Sequence, residues 1–150
     1  SIVELLAGGN VEAGVGALPA GASGIEPLFS DPLAAGKAYY MKTGVYPINH
    51  TIVVKDAVLI DRPEIAKILF QAFKVSKDAY LARLDAKTAM EPADETAIAI
   101  SKIVGDPFPF GVEPNRKALN TVIDFALGQD VISERASVDD LFAAGTSDLV

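Results

Sequence analysis

Two rhythms of apolar residues run along this chain, one of helical period and one of short unbroken runs. The helical rhythm is clearest in "RPEIAKILFQAFKVSKDAYLARL". There Ile65, Ile68, Leu69, Ala72, Phe73, Tyr80, Leu81 and Leu84 recur at helical spacing and Pro63 stands at the start. Lys67, Lys74, Lys77 and Asp78 take the opposite face, which reads as solvated. "ADETAIAISKIVG" gives a second amphipathic helix stopped by Gly105, and "RKALNTVIDFALGQ" a third, for which Asn115 is the expected cap. "SDPLAAGKAYYMKTG" offers Ser30 or Asp31 as N-cap, Pro32 in the first turn and Gly44 as a left-handed stop. Near the end, Ser137 and Asp140 have the spacing of a capping box.

The second rhythm predicts strands. "INHTIVV" ends in Ile52, Val53 and Val54, a β-branched run of the kind buried on both faces of an inner strand. "VEAGVGAL", Val11 to Leu18, reads as a small-residue strand after a short helix that stops at Gly8 and Gly9. "PAGASG", Pro19 to Gly24, is a loop or hinge. Two strands cannot cover so many apolar helix faces, so further strands are expected from outside this sequence. The opening "SIVELLAGG" reads as the end of a helix already under way, without a cap before it. Together these features predict a helix-rich α/β fragment of a longer protein.

Composition narrows the function classes. The 150 residues suit one domain, and with half of them apolar and 22% charged the chain is neither disordered nor membrane-spanning. No apolar run approaches the roughly 18 residues that a membrane helix needs. A net charge of −7, with no Lys/Arg cluster above two residues, disfavours a phosphate-tracking surface, so nucleic acid is not an expected partner. There is no cysteine, which removes disulfides and thiolate metal sites. A single histidine leaves carboxylates to supply any metal site, and no metal or cofactor is expected.

The order of three motifs carries a resemblance. "LLAGGNVEAGVGAL", "PLFSDPLAAGKAYYMKTGVYPINHTIVV" and "PFPFGVEPNRKALNTVIDFALGQDVISERASVDDLF" resemble the C-terminal half of 4,5-dihydroxyphthalate decarboxylase-like proteins. These are similar to the substrate-binding proteins of ABC transporters and share the type II periplasmic-binding-protein fold. The resemblance implies two α/β lobes with a ligand cleft between them. Residues 1–20 would finish one lobe, the hinge would lie near 19–24, and 25–150 would belong to the other lobe. It implies binding of a small aromatic carboxylic acid, with decarboxylation of a 4,5-dihydroxyphthalate-like substrate as the candidate reaction. The alternative is a non-catalytic substrate-binding protein that presents a small organic acid to a transporter. The enzyme would be cytoplasmic and the transport protein periplasmic.

His50, the only histidine, is the first candidate for chemistry. It could bond a nearby carbonyl and lock a strand, or face a ligand and pass a proton. Tyr46 is a second proton donor, or else a packing residue before Pro47. Thr43 and Thr51 flank the motif with hydroxyls able to orient an aromatic acid. Tyr39 and Tyr40 point about 100° apart on one helix, so at most one faces a ligand, and Tyr40 is the candidate. Glu113 and Arg116, at the cap of the next helix, are the last substrate-binding candidates. Arg116 suits bidentate capture of a carboxylate, while the other reading is a surface ion pair between the two. Uncovered apolar surface and sheet edges predict self-association, by exchange of residues 1–18 or by edge pairing.

Overall fold

A computed structural model describes residues 1–16, 24–88 and 90–150. Among the described residues six α-helices follow one another: α1 (Ile2–Ala7), α2 (Pro32–Thr43), α3 (Asp56–Asp61), α4 (Ile65–Asp85), α5 (Pro92–Val104) and α6 (Val112–Gly128). A short 3-10 turn, Asp139–Leu141, comes last. Among the described residues there is no β-strand.

That finding overturns the expected α/β, two-lobed, periplasmic-binding-protein-like fold. Residues 11–16 and 48–54 are irregular, and Leu18 and most of the "PAGASG" hinge lie outside the described residues. The run that suggested an inner strand is in the open, with Ile52 63% and Val53 87% exposed. β-propensity spans only about 1 kcal/mol and expresses packing on neighbouring strands. Without a partner to accept its ladder bonds, the β-branched run stays unpaired. Edge pairing loses its basis for the same reason.

The chain divides into two compact units, Ser1–Gly36 and Lys37–Val150. In the first unit α1 has a capping box. The Ser1 hydroxyl accepts from the Glu4 N–H, and the Glu4 carboxylate accepts from the Ser1 amine at 2.6 Å. The helix therefore carries the cap that its sequence seemed to lack. The chain then folds back on α1, because a Cβ on Gly14 would stand 2.9 Å from the Ile2 side chain. Asp31 caps the start of α2 by accepting from the Ala34 N–H at 2.9 Å.

The second unit has a small core on α6. Val112, Leu119 and Ile123 are buried with Val138 from the C-terminal segment, and Ile48, Ile132 and Phe142 pack against them. Asn115 is not the N-cap. It lies inside the first turns of α6, and its side-chain amide donates back to the carbonyls of Pro109 (2.8 Å) and Gly111 (2.9 Å). Pro114 precedes it, and the helix begins at Val112 after a Gly111 with φ +95°. The expected capping box after Ser137 is instead a backbone turn, in which the Asp140 N–H donates to the Ser137 carbonyl. The α3 helix, "DAVLID", has no counterpart in the sequence reading: six residues are too few to show a helical period.

Candidate functional site

Thr43 to Thr51 crosses from the end of α2 to an exposed stretch, and each residue's fate follows from its local bonds. Gly44 adopts φ +64°, and its N–H donates to the Tyr40 carbonyl at 2.6 Å, closing the helix as a left-handed stop. The Thr43 hydroxyl donates to the Tyr39 carbonyl (2.8 Å) and accepts from the Val45 N–H (3.1 Å). That hydroxyl is engaged in ending the helix. A Cβ on Gly44 would fall 2.8 Å from the Lys117 ammonium, so this cation sits at the carbonyl-rich end of α2, where a positive charge is favoured.

Beyond the stop, Val45 is buried and Ile48 packs on the α6 core. Tyr46, between them, is half-buried and donates its hydroxyl to the Pro107 carbonyl at 3.1 Å. Burial, and then the Asp106 charge, push its phenol above the ordinary tyrosine range. Both effects make Tyr46 a poor proton donor. His50 and Thr51 are exposed, and among the described residues no hydrogen bond or ion pair engages the imidazole. Tyr40 is half-buried on α2, with no hydrogen bond from its hydroxyl among the described residues.

Arg116 and Glu113 stand on α6. The Arg116 Nε donates to both Glu113 carboxylate oxygens (3.0 and 3.1 Å), and Nη2 donates to Glu113 (2.5 Å) and Asp139 (2.7 Å). The two carboxylates, Glu113 first, raise the guanidinium pKa further, and Arg116 in turn holds both acids below the usual carboxylate range. Among the described residues no hydrogen bond or ion pair joins Arg116 to Tyr46, His50 or Thr51. Its fork is occupied by carboxylates of this chain.

Two polar clusters were not legible in the sequence. The first is built on "DPFPFG". Lys77 is only 13% exposed in its side chain; it pairs with Asp106 and lies 5.3 Å from the Phe110 ring centroid. Phe110 meets Phe70 edge-on at 6.3 Å, and Phe108 meets Tyr80 at 5.6 Å. Lys77 therefore leaves the solvated face assigned to it. Phe70, Lys77 and Leu84 are seven apart and share a face of α4, a spacing that could have exposed the error.

The second cluster surrounds Asp94, which is 1% exposed. Its carboxylate accepts from both Arg83 terminal nitrogens (2.8 and 3.0 Å), the Tyr80 hydroxyl (2.6 Å) and the Glu91 N–H (2.8 Å). Arg83 first, then Tyr80 and the Glu91 N–H, hold the carboxyl well below the usual range. Four accepted bonds saturate a carboxylate, so Asp94 joins α4 to α5 and has no lone pair left for chemistry. Its sequence signal is weak: Asp94 reads as one more acidic residue in a helix's first turn.

Among the described residues no group of three or more acids and histidines could hold a metal ion. No helix of the described residues is long and apolar enough to cross a membrane. No protein-family model matches the chain, and no curated protein matches it.

Proposed function

We propose that the chain binds a small aromatic carboxylic acid through the exposed end of the Thr43–Thr51 segment, with His50 as its anchor. One observation carries this reading: the imidazole is exposed and bonded to nothing among the described residues, while Thr43, Tyr46 and Arg116 already have partners. The Tyr46 hydroxyl is held by Pro107 and the Arg116 fork by Glu113 and Asp139. Thr51 supplies a hydroxyl beside His50, and the open Ile52 and Val53 side chains supply apolar surface for a ring. A few polar groups set in apolar surface are what such ligands require. As imidazolium, His50 pairs with a carboxylate; as a proton donor, it would serve a decarboxylation of a 4,5-dihydroxyphthalate-like acid. The non-catalytic reading, presentation of a small organic acid to a transporter, uses the same anchor without the proton step.

Titration of the chain with phthalate and 4,5-dihydroxyphthalate, followed on the single imidazole by NMR, tests the reading. The His50 resonances shift with saturation and His50→Ala abolishes binding, while the melting temperature stays within about 2 °C because the side chain is exposed. Release of carbon dioxide from 4,5-dihydroxyphthalate separates the enzyme from the binding protein. Unshifted His50 resonances at millimolar ligand, or unchanged affinity in His50→Ala, would overturn the proposal.

A further inference from the structure

α4 is apolar on two faces, and among the described residues one of them is packed while the other is exposed. Phe70, Lys77 and Tyr80 meet the Pro-Phe loop and α5, and Leu84 on the same face is buried. On the far side, Ile68, Ala72, Val75, Ala79 and Ala82 form a second stripe, every member of which is exposed, Ile68 at 49% and Val75 at 67%. Their spacing alternates four and three residues, the repeat that keeps a seam facing a second helix. The alanines allow that helix to approach closely.

The charges beside the stripe say which helix it is. Lys67 and Lys74 lie in the N-terminal half of the flank, and Asp78 and Asp85 in its C-terminal half. A parallel two-fold pair would set this flank of each copy against the opposite flank of the other, so the lysines and aspartates would not meet one another. An antiparallel pair centred near Val75 lays Lys67 and Lys74 of each copy alongside Asp85 and Asp78 of the other, and also opposes the two helix dipoles. Lys74 and Asp78 are already an ion pair within the helix, but a loose one at 3.8 Å and largely in solvent, so it is free to extend into an intermolecular network.

We infer that this chain forms a two-fold homodimer in which the Ile68–Ala82 stripe of α4 packs antiparallel on itself. The interface is isologous, as two-fold symmetry requires. Two helices of about four turns bury less than a standard interface, so the dimer dissociates in the range of about 10–100 µM.

Sedimentation equilibrium on the full chain at increasing concentration shows a monomer–dimer equilibrium in that range. Val75→Glu, which sets two carboxylates near the dyad, raises the dissociation constant at least tenfold while the circular dichroism is unchanged. Lys67→Glu with Lys74→Glu also weakens the dimer, and adding Asp78→Lys and Asp85→Lys to that pair restores it. The chain's lack of cysteine makes single thiol variants clean probes of direction. With a short bis-maleimide, a mixture of Ile68→Cys and Ala82→Cys chains cross-links between the two variants. Ile68→Cys alone does not, because the two copies of that position stand about 21 Å apart along the axis. A monomer at 500 µM, on the order of ten times the expected dissociation constant, overturns the inference. So does cross-linking of Ile68→Cys to itself, which would mean a parallel pair, and so does a dimer indifferent to Val75→Glu.

Discussion

The Tyr46 hydroxyl donates to the carbonyl of Pro107 at 3.1 Å, across 61 residues of sequence. This bond ties the strap that leaves α2 to the Pro-Phe loop that leads into α6. Tyr46→Phe keeps the ring's packing and leaves a partly buried carbonyl without its donor. The expected loss is about 1 kcal/mol, a fall of about 2–4 °C in melting temperature for a chain of this size. Affinity for an aromatic acid is unchanged, because the hydroxyl was never available to it. A large loss of affinity without a change in melting temperature would instead put Tyr46 in the site.

Asp94 makes stability depend on acid. Its carboxyl is held below its unfolded value, about 3.9, by Arg83 and then by Tyr80 and the Glu91 N–H. The charged form is thus favoured by folding. Its contribution is full above the unfolded value and is lost as pH falls through the folded one. Melting temperature should begin to drop below about pH 5 and keep dropping below pH 3. Asp94→Asn lowers it by about 5–10 °C at pH 7 and flattens the acid limb, since the titrating group is gone. An acid limb identical to that of the unchanged chain would show that other carboxylates dominate.

Gly111 has φ +95°, and a Cβ there would run into the Leu149 carbonyl. Gly111→Ala combines left-handed strain with a backbone clash, so a cost of about 1–3 kcal/mol is expected. The C-terminal residues should give way first. Hydrogen exchange at residues 142–150 rises more than at α4, whereas uniform protection across the second unit would place the strain elsewhere.

Arg116 clips the 3-10 turn to α6 through Asp139 while holding Glu113. Both carboxylates are more than half exposed and Arg116 is half-buried, so Arg116→Ala shifts the melting temperature by less than about 3 °C, and by less still in molar salt. Its sharper readout is local: faster exchange at residues 137–142. Calorimetry with phthalate should find affinity unchanged in this variant, and a loss there would return Arg116 to a ligand-binding role.

Apart from α3, the helices of the described residues were legible because the rules that make them act within about four residues. The Asp31 cap, the left-handed stop at Gly44, the long periodic face of α4 and the stop at Gly105 all follow from near neighbours in the chain. His50 was legible as a candidate for the same kind of reason, since its identity and its place after Pro47 are properties of the sequence. Whether Ile52 and Val53 form a strand depends on a partner strand, and no β-branched run reports whether one exists. The commitments of Tyr46, Lys77 and Asp94 depend on groups 61, 29 and 14 residues away, which meet only when the chain has folded. Asn115 shows the same limit at short range: its type suits a cap, but the Pro109 and Gly111 carbonyls placed above α6 make it a donor instead. Local periodicity and caps decided most of where the chain is helical; long-range contacts decided which of its polar groups remain free to meet a ligand.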